Sequence, residues 1–440
     1  MDNDEIERVL DRIIPESMTR RGHTAIDAFT APIRDVLNRR IFPDVALTDD
    51  QLRLMIQILS SMDTDKDPKA ARVGEREARI ASPFIGSLSA GFNHGIGRSG
   101  QLTAPQPKAV GASLMQQVAN NVALDAIRKL GLSNTQAGLV TPLSTGMTIA
   151  LVLSALRREL GIKTVLYPRI DHISPQRGIS LTGLIELPVL TTIRGDAVNT
   201  DLSDLEKKIS KNESCAVLST TTFFPPREAD PVKDIAKLCS ANDIPFIINN
   251  AYGVQSEATM SLIRSAIDAG RVDAVIQSSD KNFMAPVGGS IVVSPNQETI
   301  NWIADSYAGR ATAAPVVQTL AALLALGLER YKELQGQQII NHAFLKEKMQ
   351  DIANKLGQRV LEVENHIAVA ITMDGLNVRD IGARLYNARV TGPRAVEKGA
   401  FGSSVDDYPH SYFVMNAAIG ASHGDVETAT TKFYKEAINR

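Results

Sequence analysis

The polar and apolar positions of this chain fall into three regimes. Over residues 1 to about 67 the apolar positions recur at helical spacing, in IERVLDRII and DDQLRLMIQILSSM. A charged stretch, DTDKDPK, closes that region at Pro68. From 68 to 310, short continuous apolar runs alternate with amphipathic segments. MTIALVLSALRREL, at about 147–160, predicts a helix leading into a strand at TVLYP. LSDLEKKIS leads likewise into CAVLSTTTFF, which Pro225 and Pro226 terminate. VKDIAKLCSAND feeds IPFIINNA, and SEATMSLIRSAIDAG feeds VDAVIQSS. This alternation predicts an α/β fold, a mainly parallel sheet with helices on both faces. Residues 311–440 carry two helical stretches and then mixed short strands such as HIAVAITM, and read as a small α+β domain. The expected organisation is an N-terminal helical extension (1–67), a large domain (68–310) and a small C-terminal domain (311–440).

Bulk composition narrows the class. With 440 residues, 44% apolar and 22% charged, the chain suits a soluble globular protein of two or three domains. A formal net charge of -2 provides no global basic field, so any nucleic-acid contact needs a local patch. The opening residues, MDNDEIERVLDRII, are acidic and amphipathic, unlike a signal peptide. The longest apolar stretch, Ala313 to Leu328, is interrupted by Gln318 and Thr319 and predicts a core helix rather than a membrane span. Cys215 and Cys239 are the only cysteines and form no CxxC pair, so a reducing cytoplasm is expected and a disulfide framework is not. The 7 histidines show no metal-ligand spacing, and no metal is expected.

Candidate chemistry centres on Lys281, at the end of the predicted strand DAVIQ. Ser278 and Ser279 place two hydroxyls just before it, and Pro286, Gly288 and Gly289 precede a second apolar run, Ile291 to Val293. A lysine leaving a core strand is partly desolvated, which frees its amine as a nucleophile. Hydroxyls beside it suit a phosphate. An amine that condenses with a phosphorylated aldehyde points to pyridoxal 5'-phosphate (PLP); the alternative is a surface lysine in a βα turn.

Ligands of open parallel sheets bind beyond the carboxyl ends of the strands, and other segments converge there. Ser144, Thr145 and Gly146 precede a helix, where unpaired N–H groups and the helix dipole attract an anion, or where a hydroxyl simply caps. Asn249, Asn250 and Tyr252 follow a strand, within reach of a ring nitrogen. His172, in PRIDHIS, either stacks on an aromatic ring or is structural. Gly95, Gly97 and Gly100 spell a literal G-x-G-x-x-G, but no clear strand precedes them, and Pro105 and Pro107 forbid a useful helix after them. The segment instead predicts a flexible loop whose Arg98, Ser99, Gln106 and Lys108 enclose a phosphate. Upstream, VGEREAR supplies Arg76 and Arg79, either for that purpose or on an ion-paired helix face.

The motifs MDTDKDPKAARVGEREAR, HGIGRSG with APQPKA, LSTGM, PRIDHIS, STTTFFPPR, INNAYGVQS, SSDKNFMAPVGG and YAGRATAAP occur in this order. Together they closely resemble the O-phosphoseryl-tRNA:selenocysteinyl-tRNA synthase family (SepSecS), in its archaeal form. The likeness runs essentially from end to end, through the late TGPR and MNAAIG segments. It implies a fold-type-I PLP enzyme that replaces the phosphate of phosphoseryl-tRNA(Sec) with selenium from selenophosphate, acting as a homotetramer of two catalytic dimers. By the same resemblance, Lys281 is the Schiff-base lysine, and Ser144, Thr145 and Gly146 hold the PLP phosphate. Arg76 reaches that phosphate from a neighbouring subunit. Asn249 stands where most such enzymes carry aspartate for the pyridine nitrogen, and His172 stacks on the ring. Arg98, Ser99, Gln106 and Arg310, with Lys108 beside them, match the substrate-phosphate pocket. Arg394, in TGPR, is matched to the tRNA discriminator end, although Gly-Pro-Arg is also an ordinary turn. The N-terminal helices support tetramer assembly and acceptor-arm binding. A related PLP enzyme, which makes cysteinyl-tRNA with a sulfur donor, relies on active-site cysteines; here Cys215 begins a predicted core strand and Cys239 lies in a predicted helix, so neither is poised for that role. A PLP lyase of free amino acids leaves the N-terminal part without a role, and a non-catalytic tRNA-binding protein has no use for Lys281 and the arginine pocket.

Overall fold

The computed structural model describes residues 13–439. The helix predicted over IERVLDRII lies outside them, apart from Ile13 and Ile14. Helices Glu16–Arg39 and Asp49–Ser60 come next, the second opened by a capping box between Thr48 and Gln51. Their inner faces, through Ile33, Val36, Met55 and Leu59, join the same core as the central sheet.

Strands β1 (Ala137–Thr141), β2 (Thr164–Pro168) and β3 (Ile185–Val189) belong to a seven-stranded sheet. A short hairpin, β4 (Thr191–Arg194) with β5 (Ala197–Thr200), lies apart from it. The sheet continues with β6 (Cys215–Thr220), β7 (Phe246–Asn249), β8 (Ala274–Ser278) and β9 (Ser290–Ser294). Its order is β1-β9-β8-β7-β6-β2-β3, and β9 alone runs against its neighbours. β6, β7, β8 and β9 are buried along their whole length, which is why they read as continuous apolar runs rather than alternating ones. A three-stranded antiparallel sheet, with strands β10 (Ala368–Thr372), β11 (Arg394–Val396) and β12 (Tyr412–Asn416), builds a second core around Phe413 and Phe433, whose rings stack at 4.2 Å.

The structure departs from the sequence reading in two places. The run CAVLSTTTFF is strand only as far as Thr220, whose N–H donates to the buried Asp230 carboxylate at 2.7 Å. The apolar stretch from Ala313 is not one continuous helix: Gly327 takes φ 61° and ψ 170°. The segment Pro43–Leu47 fills that break, since Leu47 N–H donates to Leu324 O at 2.8 Å and Leu328 N–H to Pro43 O at 2.9 Å. A Cβ on Gly327 would lie 2.7 Å from the Ala46 nitrogen, so close backbone approach demands glycine there.

At the carboxyl edge of the sheet, Arg227 is 1% and Asp230 0% exposed, and they pair at 2.5 Å. Arg227 also donates to Arg169 O (3.1 Å), Glu228 O (2.7 Å) and the Thr200 hydroxyl (2.6 Å). The pair therefore fastens the ends of β2, β5 and β6 together. Arg227→Ala would leave Asp230 buried without its cation, and should lower the unfolding free energy by about 3–5 kcal/mol in urea melts. A loss below ~1 kcal/mol would contradict this role.

Candidate active site

Lys281 lies in the short helix Ser279–Phe283 that succeeds β8, and Met284 closes that helix in the left-handed conformation at φ 53°. Its side chain opens into a cavity of about 540 Å³ beyond the carboxyl ends of the parallel strands. Ser144, Thr145, Gly146, His172, Asn249 and Ser278 line the same cavity, so the chain brings them together around the lysine. Surrounding protein desolvates the Lys281 ammonium and pushes its pKa down, with neighbouring Asp280 pulling the other way. The side chain is nonetheless reachable from the cavity, as a nucleophile must be. The Tyr252 ring lies 5.6 Å from its Nζ.

The N-terminus of helix Thr145–Leu160 faces this lysine. Ser144 is its N-cap residue but makes no side-chain capping bond, which leaves the hydroxyl available. Gly146 is packed so closely on the next helix, Ile173–Leu181, that a Cβ would lie 3.2 Å from Ser174 Cβ. Asn249, the last residue of β7, donates its amide weakly to Thr220 Oγ1 at 3.4 Å, while its Oδ1 is buried with no partner. The hydroxyls of Thr222 and Tyr252, both cavity residues, are likewise buried and unpaired. Orphaned polar groups around a lysine of lowered pKa, with a helix N-terminus opposite, fit a phosphorylated aromatic aldehyde. His172 caps helix Ile173–Leu181 by accepting from Ser174 N–H at 3.3 Å, and it meets Phe223 edge-on at 6.1 Å. Burial, then the charges of Lys281 and Arg394, lower its pKa, so its ring is neutral near pH 7.

Ser279 does not join the cavity. It is fully buried on the other side of the turn, where its hydroxyl accepts from Thr319 Oγ1 at 3.1 Å. Phe223, Phe224 and Gln255 line the cavity, and no sequence signal singles them out beyond the STTTFFPPR motif, in which the phenylalanines read as strand, and the INNAYGVQS motif, which holds Gln255. The Gln255 side chain accepts from Ile419 N–H at 2.7 Å and donates to Tyr252 O at 3.0 Å, tying the C-terminal segment to the site. Arg394 sits at the cavity rim, its guanidinium 5.3 Å from Phe223 and 5.1 Å from Phe224.

Arg76, Arg98, Ser99, Gln106, Lys108 and Arg310 do not line the Lys281 cavity of the same chain. They belong to a second group around the glycine-rich loop. Arg98 and Gln101 exchange backbone hydrogen bonds at 2.9 and 3.0 Å, and Ile96 N–H donates to Ala311 O at 3.0 Å, which sets the loop beside Arg310. Gly95, Gly97 and Gly100 all have positive φ, and the next helix begins only at Val110, so these glycines serve tight turns rather than a dinucleotide. No helix forms over 73–79. Lys108 Nζ donates to Arg76 O at 2.9 Å and to Glu77 Oε1 at 2.8 Å. Arg310 donates to His94 O, and desolvation together with the charge of Arg76 lowers its pKa. Among the described residues no His/Cys/Asp/Glu group suits a metal ion, and no helix is long and apolar enough to cross a membrane.

This sheet order and lysine position define a fold-type-I PLP enzyme, and a structure of Oryza sativa TDC with PLP and tryptamine shares the fold at a TM-score of 0.55 and 13% identity, covering 97% of this chain and 99% of that one. A family model, O-phosphoseryl-tRNA(Sec) selenium transferase, SepSecS, matches residues 62–438. The O-phosphoseryl-tRNA(Sec) selenium transferase of Methanopyrus kandleri is 44% identical over 428 residues, 96% of this chain and 98% of its own. A crystal structure of an archaeal O-phosphoseryl-tRNA(Sec) selenium transferase superposes with a TM-score of 0.93 at 43% identity, covering 96% and 98% of the two chains. The chain belongs to the O-phosphoseryl-tRNA(Sec) selenium transferase family.

The lowered Lys281 pKa has a consequence for cofactor-free protein. Between the folded value and the ordinary lysine value of 10.5, the unfolded chain binds more protons, so stability rises with pH across that window. Lys281→Met removes this term. The stability gap between variant and wild type should therefore be widest near neutral pH and shrink towards 10.5. A gap independent of pH in denaturant titrations would refute the desolvation of Lys281.

Proposed function

We propose that this protein converts O-phosphoseryl-tRNA(Sec) to selenocysteinyl-tRNA(Sec) with selenium from selenophosphate, using PLP held at Lys281. The observation that carries this reading is that one chain offers two separate groups of residues suited to an anion. The Ser144–Gly146 helix terminus beside Lys281 suits the cofactor phosphate, and Arg310 and Lys108, next to the loop that carries Arg98, suit a second phosphate, that of the substrate.

In this reading the two arrangements meet when another copy of the chain lays its cationic cluster over the Lys281 cavity. Val287, at the cavity lining, is 78% exposed, and Phe84, just beyond Arg76, is 69% exposed; both suit such a cover. Two such dimers would form the homotetramer, with the N-terminal helices supporting its assembly and the acceptor arm. Arg394, half-buried at the rim, is suited to the discriminator end of the tRNA, as the cavity mouth is where an aminoacyl ester must leave the site. The cytoplasm is the compartment that matches a tRNA substrate and two unpaired cysteines.

When bound, PLP supplies an electron sink that acidifies the substrate α-carbon and so permits loss of the group on Cβ. Ser144, Thr145 and the N–H groups behind Gly146 would hold its phosphate, with Arg76 of a neighbouring copy and Ser278 near it. His172 would cover the ring, and Asn249 would face the ring nitrogen. Lys281 Nζ, its pKa lowered by desolvation, would hold the cofactor's aldehyde carbon and, once the substrate amine displaced it, would be free as the base for the α-proton. Asn249 is neutral and cannot hold a ring proton by charge, so the departing phosphate, a far better leaving group than hydroxide, carries more of the reaction. Arg98, Ser99, Gln106, Lys108 and Arg310 would pair with that phosphate, and a seryl substrate would leave their donors unmatched. The sulfur-transfer alternative lacks its nucleophile. Cys215 and Cys239 are buried in the core, and desolvation pushes the Cys215 thiol up to about 11 and that of Cys239 higher still.

Arg98→Ala should lower phosphoseryl-tRNA turnover by roughly a hundredfold while PLP binding, monitored by visible absorbance, stays close to wild type. Equal losses in both would place Arg98 with the cofactor instead.

A further inference from the structure

Within the cationic cluster sits a carboxylate, a charge opposed to the binding of any anion there. Glu77 Oε1 accepts from Lys108 Nζ at 2.8 Å, and its side chain is 14% exposed against 31% for the lysine. The neighbouring Arg79 and the ring of His94 also bear on it, and the Lys108 bond, ahead of all else, holds the Glu77 carboxyl below the usual carboxylate range. Glu77 in turn acts on Arg310, whose charge feels both Arg76 and this carboxylate. Gly74 lies beside the carboxylate, where a Cβ would come within 2.2 Å of Glu77 Oε1. Lys108 is further fixed by its bond to Arg76 O at 2.9 Å, which ties the carboxylate's segment to the loop's last cation.

We infer that Glu77 is the internal counter-anion of this site, occupying Lys108 until a substrate phosphate takes its place, and so tuning which anions the cluster accepts. The inference rests on the reading of the Arg98, Lys108 and Arg310 cluster as the substrate-phosphate pocket. Its physical basis is competition. Several cations converging without an anion would repel one another, and Glu77 relieves that repulsion in the free protein. An incoming anion must then win Lys108 from a carboxylate already bound to it. A second carboxylate gains nothing by that exchange. A phosphate dianion brings two charges and three acceptor oxygens, and gains on both counts. Glu77 thus raises the threshold for binding, and the site responds to a phosphoryl group rather than to any passing anion.

The test is Glu77→Gln, which keeps an acceptor oxygen for Lys108 and removes only the charge. Inorganic phosphate is the probe, titrated calorimetrically into PLP-loaded protein so that the cofactor's own phosphate position is filled. Arg310→Gln serves as the site control. Wild type should bind phosphate, Arg310→Gln should lose that binding, and Glu77→Gln should bind roughly tenfold more tightly, with the gain shrinking as salt is raised. If Arg310→Gln loses phosphate but Glu77→Gln binds it equally or more weakly, Glu77 merely orients Lys108 and the inference is overturned while the pocket stands. If phosphate binds Arg310→Gln as it binds wild type, the pocket reading itself fails, and the inference with it.

Discussion

The buried ion pair between Arg227 and Asp230 is the constraint on which the catalytic end of the sheet depends. It holds the last residue of β6, whose N–H donates to Asp230 while Thr220 stays in register with Asn249 of β7. Thr220 then presents its hydroxyl to Asn249, and Thr221 presents its own to Asn250 at 2.7 Å. Beyond that point the chain is free to turn Thr222, Phe223 and Phe224 into the cavity wall. A buried pair of this kind adds little stability over an apolar substitute, but removing either partner is costly. Its contribution here is placement: it ties the ends of β2, β5 and β6 together, and the residues just past the end of β6 build one wall of the cofactor cavity.

The opposite wall owes its chemistry to the reversal at β8 and β9. The turn that sends β9 back against β8 leaves Lys281 on a single helical turn at the sheet edge, desolvated by its surroundings yet open to the cavity. The helix terminus at Ser144 comes from β1, which lies beyond β9 in the sheet. One antiparallel strand thus brings an anion-binding helix end and an amine to the same cleft. The cationic loop around Arg98 stands apart from that cleft within the chain, a division that matches a reaction with one phosphate on the cofactor and another on the substrate.

Much of this is legible in the sequence because buried parallel strands announce themselves as unbroken apolar runs, and β6, β7 and β8 fall where those runs do. Lys281, Ser144 and Asn249 are legible because each ends or succeeds such a run. Ser279 is not: adjacent hydroxyls look alike in a sequence, but a turn sends them to opposite sides, and only Ser278 reaches the cavity. The break at Gly327 is hidden because its cause, the segment Pro43–Leu47, is remote in the chain. Phe223 and Phe224 read as strand because nothing local reveals that β6 ends at Thr220, before them. The spatial separation of the Arg98 group from Lys281 is a property of the folded chain, and no motif spacing carries it.

The identity of the leaving group decides whether both phosphate sites have the roles proposed for them. The most direct measurement is a single incubation of PLP-loaded protein with selenophosphate and either phosphoseryl-tRNA(Sec) or seryl-tRNA(Sec), with analysis of the aminoacyl product and of released phosphate. Selenocysteinyl-tRNA formed from the phosphoseryl substrate alone, with two phosphates released per product, one from the phosphoseryl group and one from selenophosphate, is the expected result. Equal conversion of the seryl substrate, or phosphate retained on the product, would contradict it.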